Sequence, residues 1–175
     1  MNNKDKSIFP KEDVVKLYWT LESLWIQIWI DGGWWIDALI WEQTRDHEDL
    51  DIVIEERHLS HFLEYISESG YRDHPRDDTC DWNFVLENSF WLLIDVHVVV
   101  FDANWNGVYW PKEQWIFYPT SAFAWRWTID GFSLRCISAE NQIESHTGYT
   151  LREKDYQDIR LLCEHFKIQL PLAYK

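Results

Sequence analysis

A short apolar run that ends at two glycines restricts the fold of this chain more than any other feature. Residues 26–30 are mostly β-branched or aromatic and apolar, which predicts a buried strand. Gly32 and Gly33 interrupt the run, and residues 34–41 have the composition of a short helix. The sequence therefore predicts a strand, a tight glycine turn and a helix that begins just after the turn.

The rest of the chain continues this alternation of helices and strands. Helical spacing predicts a first helix over residues 11–25 and another that includes residues 59–66 and ends near Gly70. Further strands are predicted at residues 49–54, 82–86 and 90–100, and a hairpin of residues 125–129 and 132–137 turns at Asp130-Gly131.

The C-terminal part of the sequence has the features of helices. Ser138 is predicted to cap one helix, and Thr150 with Glu153 to form a capping box for a second that runs to about His165. The order of elements predicts an α+β fold with a mixed β-sheet. We expect an α+β domain over residues 1–137 and a small helical subdomain over residues 138–175 packed on it.

The charge of the chain bears on its partners. Thirty acidic residues against sixteen basic ones give a formal net charge of −14. Because nucleic-acid binding needs clustered Lys and Arg, nucleic acid is disfavoured as a partner. An acidic surface attracts cationic small molecules, although solubility alone also accounts for such a charge.

Other features of the composition indicate the cellular compartment. No apolar run is long enough to span a bilayer, and residues 1–16 lack the pattern of a secretory signal. Three scattered cysteines suit neither a disulfide framework nor a zinc motif. We therefore expect a cytoplasmic protein without membrane contact, either a monomer or a homodimer.

Two acidic residues are candidates for metal binding. Asp49 and Asp51 alternate with Leu50 and Ile52 on a predicted strand, so the two carboxylates share one face, about 7 Å apart at Cα. Such a pair can hold Mg²⁺ between protein oxygens and substrate phosphates. The alternative is a strand end with solvated acids, which is common in proteins.

Asp95 is the candidate for a third carboxylate. It interrupts a strongly apolar predicted strand, where an ionised group is costly to bury unless something pairs with it. A metal ion on a neighbouring strand would be such a partner, and a hydrogen bond from a backbone amide would be another. His97 lies on the same face as Asp95, either as an orienting residue or as a satisfied core histidine.

The glycine turn and the acidic residues together suit one type of chemistry. A strand, Gly32-Gly33 and a helix allow the backbone to approach phosphate closely, next to the N-terminus of the helix. A metal ion beside that turn neutralises charge as a phosphate bond breaks. A third acid can accept the proton of an attacking hydroxyl. The combination predicts transfer of a nucleotidyl group.

The same segments resemble a known family. Residues 31–54, DGGWWIDALIWEQTRDHEDLDIVI, look like the signature of the small antibiotic nucleotidyltransferases that act on lincosamides and on the 2″-hydroxyl of aminoglycosides. Two further segments are similar to that family: LLIDVHVV resembles its third-carboxylate strand, and RCISAENQIESHTGYTLREKDYQDIRLL its C-terminal helices in the lincosamide type.

The resemblance implies a polymerase-β-like nucleotidyltransferase fold and a magnesium-dependent enzyme that uses ATP or another NTP. It implies that Asp49, Asp51 and Asp95 bind the metal and carry catalysis. It assigns the nucleotide to Gly32, Gly33, Trp34, Arg45 and His47. The acceptor is expected to be a cationic small molecule, a lincosamide or an aminoglycoside.

The resemblance also extends to the C-terminal segment, and the chain differs from the family pattern at two tryptophans. In that segment it matches His146, Gly148, Tyr149, Asp155 and Asp158, for which structural or nucleotide-side roles are expected. Trp35 and Trp41 stand where the family has small residues, and we expect them to narrow the acceptor side or to alter the loop before Arg45.

Two alternative functions remain open: nucleotidylation of a macromolecule by a toxin-like enzyme, and a non-catalytic nucleotide-binding module.

Overall fold

The architecture comes from a computed structural model of the chain. The structure describes residues 8–40, 45–109, 117–129, 131–147 and 150–175. Trp41, Asp130, Gly148 and Tyr149, which the sequence singled out, lie outside the described residues.

Helices flank a mixed sheet in the described part of the chain. The helices are α1 (Lys11–Ser23), α2 (Gly32–Ile40), α3 (Glu56–Glu68), α4 (Ala139–Ser145) and α5 (Glu153–Phe166). The longer strands are β1 (Ile28–Asp31), β2 (Asp49–Glu55), β4 (Asn83–Glu87), β5 (Leu93–Phe101), β8 (Trp125–Ile129) and β9 (Phe132–Cys136). The shorter ones are β3 (Arg72–Asp73), β6 (Gly107–Tyr109) and β7 (Phe117–Tyr118).

The strands form one sheet in the order β3-β4-β5-β2-β1-β9-β8, and β6 pairs with β5 and β7. At the centre of the sheet, β2 runs parallel to β5 and antiparallel to β1, while β1 runs parallel to β9. This mixed pairing with helices confirms the predicted α+β fold.

The two faces of the central strands differ in what covers them. On one face, alternate residues such as Ile30, Ile52 and Val96 pack into the main hydrophobic core with α1, α2 and α3. On the other face, Trp29 and Val53 join a smaller cluster that includes Val99, Tyr118, Ala122 and Ile137. Because side chains alternate along a strand, Asp31, Asp51 and Asp95 share this second face.

The start of the chain shows how local sequence ends one element and starts the next. Val14, Tyr18 and Leu21 lie on the buried side of α1, as their helical spacing predicts. After the helix, Trp25 adopts a φ of 61°, and the N–H of Ile26 donates to the carbonyl of Leu21 at 2.9 Å. This left-handed residue turns the chain toward β1.

Most predicted elements are present, with shifted ends. The strand predicted at residues 26–30 is Ile28–Asp31, and the one predicted at residues 90–100 is Leu93–Phe101. The first helix ends at Ser23 instead of residue 25. Gly70 has a φ of 89°, as a glycine after a helix requires.

One predicted cap is confirmed and one is wrong. The N–H of Asn141 donates to Ser138 Oγ at 3.3 Å, so Ser138 caps α4. The capping box of α5 is not formed by Thr150 and Glu153. Instead, Arg152 is the capping residue, and its N–H donates to the Asp155 carboxylate at 2.7 Å. The helix starts later than predicted because Asp155, which is buried, supplies the acceptor.

The division into residues 1–137 and 138–175 stays a prediction, although β9 ends at Cys136 and α4 begins at Ala139. Within the ranges that the structure describes, none of the helices combines the length and the apolar character that a membrane crossing requires.

The core position of Trp35 generates a test of the fold. Trp35 is fully buried, its ring lies 6.5 Å from that of Trp125, and it connects α2 to the sheet. We expect Trp35→Ala to lower the free energy of unfolding by about 3–5 kcal/mol, because the cavity it leaves cannot close fully. Urea unfolding followed by circular dichroism measures the change. In the control, Trp25→Ala removes a ring that is 89% exposed and should change stability by less than about 0.5 kcal/mol.

Candidate active site

The pairing of three central strands sets acidic residues side by side. Asp51 on β2 is in register with Asp95 on the parallel strand β5. On its other side, Asp51 is in register with Asp31 on the antiparallel strand β1. Asp49 lies two residues before Asp51 on the same face. The three carboxylates expected from the sequence therefore lie on one sheet face, and Asp31 adds a fourth.

A cluster of ligand atoms lies within this acidic group. One ligand atom each from Asp51, Asp95 and His97 lies within 4.8 Å of the other two. Asp49 is not part of that cluster, although its charge acts on Asp51. Asp95 also forms an ion pair with Arg76, whose Nη1 lies 3.0 Å from Asp95 Oδ2.

Asp31 connects the acidic group to the helices at the C-terminus. Its Oδ1 accepts a hydrogen bond from the N–H of Gly32 at 2.9 Å and another from the side-chain amide of Gln142. Gln142 on α4 is almost fully buried, and its Oε1 has no hydrogen-bond partner among the described residues. Asp31 therefore holds the glycine turn and α4 together.

Neighbouring side chains leave no room for a Cβ atom at either glycine of the turn. Gly32 has a φ of 62°, and a Cβ at this position would overlap the Asp51 carboxylate. A Cβ on Gly33 would overlap the Arg45 guanidinium and the His47 ring. The absence of side chains at both positions thus lets Asp51 and Arg45 approach the turn.

Two residues expected at the nucleotide pocket lie beneath the turn. Trp34 and His47 are 2% and 1% exposed, and their rings pack 4.6 Å apart. His47 Nε2 is hydrogen-bonded to the carboxylate of Asp37, which is also buried. Neither Trp34 nor His47 lines the cleft. The structure thus gives both side chains packing positions beneath the turn.

A cleft of about 860 Å³ opens over the acidic face. Its walls include Asp31, Gly32, Gly33, Arg45, Asp49, Asp51, Arg76, Asp95, His97, Tyr118, Pro119, Asn141, Gln142, His146, Arg152, Lys154, Asp155 and Asp158. Four of these lining residues carry a positive charge, although the chain as a whole has about half as many basic as acidic residues: Arg45, Arg76, Arg152 and Lys154. Arg45 forms an ion pair with Asp158 at 2.8 Å, and Arg152 one with Asp155 at 3.1 Å.

Burial and mutual repulsion act on the acidic side chains. Burial raises the pKa of Asp51 well above its usual value, and the charges of Asp49, Asp95 and Asp31 raise it further, against an opposing effect of Lys154. Burial also raises the pKa of Asp95, although His97 and Arg76 partly offset it. A group of acids that repel one another in this way is a site suited to a cation.

The sequence did not single out Asp31, Arg76, Gln142 or Lys154 as site residues. Asp31 directly precedes the two glycines, so its position at a strand end next to the turn was a usable signal. No local sequence signal marks Arg76 or Lys154, because only the three-dimensional fold brings them to the cleft. Trp35 does not narrow the acceptor side as expected, because its ring is buried in the main core and does not line the cleft.

Comparison with known proteins gives a family match over most of the chain. Residues 13–162 match the family described as aminoglycoside-2''-adenylyltransferase. A lincosamide resistance protein of Staphylococcus haemolyticus is 26% identical over 151 residues, which are 81% of this chain and 86% of that protein.

Solved structures show the same fold. A lincosamide antibiotic adenylyltransferase, LnuA, with lincomycin bound is 22% identical with a TM-score of 0.79, covering 93% of this chain and 100% of that one. ANT(2")-Ia in complex with adenylyl-2"-tobramycin is 20% identical with a TM-score of 0.70, covering 89% and 88%. These likenesses establish that this chain has the fold of those two proteins.

The repulsion around Asp51 predicts an unusual effect on stability. In the metal-free protein at neutral pH, Asp51→Asn should raise the free energy of unfolding, on the order of 1 kcal/mol, because it removes a buried charge among like charges. The raised pKa of Asp51 means that the folded wild type loses stability as pH rises through that pKa. The advantage of the variant should therefore vanish in acid and grow toward neutral pH.

Urea unfolding in the presence of EDTA at several pH values measures this difference. Asp81→Asn, at an exposed position, is the matched control and should leave stability unchanged. A variant Asp51→Asn that is less stable than the wild type at neutral pH would contradict the repulsion.

Proposed function

The chain belongs to the aminoglycoside-2''-adenylyltransferase family and is thus a nucleotidyltransferase, and we propose that it transfers AMP from ATP to a hydroxyl of a small-molecule antibiotic. The single observation that supports this reaction is the row of Asp31, Asp51 and Asp95 in register across three strands, beside a glycine turn in an open cleft.

The acidic group fits a divalent cation such as Mg²⁺. Its donors are carboxylate oxygens, which hard cations prefer, and they crowd closely enough to raise the pKa of Asp51. Asp95 Oδ1 is buried and accepts no hydrogen bond from the described residues. We propose Asp49, Asp51 and Asp95 as the metal ligands. A bound cation would neutralise the negative charge that develops on the phosphates during transfer.

The nucleotide is proposed to lie along the turn and the C-terminal helices. Gly32 and Gly33 expose backbone to the cleft at the start of α2, where N–H groups favour phosphate. Arg45, Arg152 and Lys154 line the same cleft and provide positive charge for the triphosphate. Trp34 and His47 then contribute indirectly, because they pack beneath the turn and hold its position.

Asp95 is the proposed general base. It accepts the proton of the acceptor hydroxyl, whose oxygen attacks the α-phosphorus in line while pyrophosphate leaves. Arg76, at 3.0 Å from Asp95 Oδ2, keeps the carboxylate charged against the effect of burial. Its guanidinium also fixes the orientation of Asp95, because two rigid groups in one hydrogen-bonded pair lose rotational freedom.

A lincosamide is the favoured acceptor, with an aminoglycoside as the other candidate. The similar protein of Staphylococcus haemolyticus is a lincosamide resistance protein, and the lincomycin-bound structure has a higher TM-score than the tobramycin complex. The net charge of −14 agrees with a cationic acceptor. The wall formed by Tyr118 and Pro119 offers the acceptor an apolar surface on the same cleft.

We propose a cytoplasmic enzyme, a monomer or homodimer, that has no nucleic-acid partner. Nucleotidylation of a macromolecule is the competing function, and a failure to bind RNA at low salt would argue against a tRNA substrate. A non-catalytic module is the other alternative, which the retained Asp49, Asp51 and Asp95 disfavour.

Pyrophosphate release tests the proposal directly. The protein is incubated with MgATP and each member of a panel of lincosamides and aminoglycosides, and mass spectrometry checks whether the drug gains one AMP. We expect release that depends on a lincosamide. Release with neither drug class, combined with measurable ATP binding, would contradict the proposed function and favour the non-catalytic alternative.

Substitution of the acidic pair tests the metal ligands. Asp49→Asn and Asp51→Asn should each lower turnover by at least about a hundredfold, because each removes a negatively charged oxygen donor, while circular dichroism shows an intact fold. Asp81→Asn is again the control, with wild-type turnover expected. Near-normal turnover in either active-site variant would show that the metal ligands are assigned incorrectly.

Lys154 provides a separate test of the nucleotide side. Lys154→Gln should raise KM for ATP by roughly tenfold, the value of one charge-assisted contact, with little change in KM for the antibiotic. Steady-state kinetics with each substrate varied in turn measures both constants. Lys175→Gln, at an exposed lysine that does not line the cleft, should match the wild type.

A further inference from the structure

His97 lines the cleft, and the proposed reaction does not yet use it. It lies two residues after Asp95 on β5, so both side chains point from the same face of the sheet. Its Nε2 is 3.8 Å from Asp95 Oδ1, and its side chain is 23% exposed. A separation of 3.8 Å exceeds the length of a hydrogen bond, so a direct bond does not explain the approach.

The spacing of the three ligand atoms suits one ion between them. The candidate atoms of Asp51, Asp95 and His97 all lie within 4.8 Å of one another. Around a six-coordinate ion with bonds of about 2.1 Å, ligand atoms lie roughly 3 to 4.2 Å apart. Small movements of the side chains are therefore enough to bring all three onto a single cation.

The hydrogen bonding of the two Asp95 carboxylate oxygens indicates a cation on the side of His97. Arg76 engages Oδ2 of Asp95, whereas Oδ1, the atom that faces His97, is buried and accepts no hydrogen bond from the described residues. A buried acceptor without a donor is costly. An ion bound between this oxygen and the His97 ring removes that cost.

We propose that His97 is a direct ligand, through Nε2, of a divalent cation that Asp51 and Asp95 also hold, and that this nitrogen favours a transition ion such as Mn²⁺ over Mg²⁺. The proposal rests on the proposed function only in that it places a cation on these carboxylates. Oxygen ligands alone suit Mg²⁺, whereas an imidazole in the ligand set favours first-row transition ions.

The position of His97 also divides the acidic group into two sides. Asp49 precedes Asp51 along β2, whereas His97 follows Asp95 along the parallel strand β5. Asp49 and His97 therefore flank the Asp51–Asp95 pair from opposite ends. An ion held by His97 would therefore lie on the side of the Asp51–Asp95 pair away from Asp49, next to the carboxylate position that Asp49 shares with the same pair, and His97 would set the metal preference of its own side.

Electron spin-echo envelope modulation of the Mn²⁺-loaded, nucleotide-free protein tests the proposal without reliance on activity. A histidine nitrogen bound to Mn²⁺ gives ¹⁴N modulation, which a carboxylate-only site lacks. We expect ¹⁴N modulation in the wild type and its replacement by the ¹⁵N pattern when the protein is grown with ¹⁵N-labelled histidine. This labelled wild type needs no substitution, so the result does not depend on how a variant folds.

Two variants identify the histidine. His97→Asn should abolish the ¹⁴N modulation and lower the ratio of Mn²⁺ to Mg²⁺ affinity, measured by calorimetry, by at least about tenfold. His146→Asn is the matched control, because His146 also lines the cleft and should leave the modulation unchanged.

The outcomes separate this proposal from the proposed function. Mn²⁺ binding without ¹⁴N modulation, or modulation that survives His97→Asn, overturns the role of His97 and leaves the carboxylate site intact. Failure of Mn²⁺ and Mg²⁺ to bind at all, with or without ATP, overturns the metal site of the proposed function as well.

Discussion

Like charge across three adjacent strands is the constraint on which the rest of the site depends. Parallel pairing of β2 with β5 sets Asp51 beside Asp95, and antiparallel pairing with β1 sets Asp31 on its other side. A one-residue slip of either pairing would turn the carboxylates into the core and expose Ile52 or Val96. The apolar pattern on the opposite face therefore fixes the register, and the acids are brought together by packing energy against their own repulsion.

The surroundings of the site reduce that repulsion without removing it. The N–H of Gly32 and the amide of Gln142 donate to Asp31, and Arg76 pairs with Asp95. Among the described residues, Asp51 has no hydrogen-bond donor or ion-pair partner of this kind, although the charge of Lys154 acts on it, and its pKa is raised the most clearly of the group by burial and by its acidic neighbours. A bound positive charge therefore lowers the free energy of the folded protein most when it lies next to Asp51, at the centre of the row.

The helices and strands could be predicted from the sequence because they depend on patterns of neighbouring residues. Alternation around Asp49 and Asp51 gave the strand and the face, and the interruption of an apolar run marked Asp95. The capping of α5 was wrong because Thr150 and Glu153 form a good local pattern, whereas the buried carboxylate of Asp155 supplies the actual acceptor. Burial of Asp155 depends on tertiary packing, which spacing alone does not report.

The same distinction explains the residues that sequence reasoning missed and the buried positions of two that it named. Arg76 and Lys154 are separated from the acidic pair by long stretches of chain, and only the fold brings them to the cleft. His47 and Trp34 stand next to the motif residues, yet alternation and helix geometry turn them below the turn, where His47 pairs with Asp37. Adjacency in a motif thus identifies the segment that forms the site. The direction of each side chain, which decides whether it meets substrate or supports the turn, follows from the packing beneath the segment.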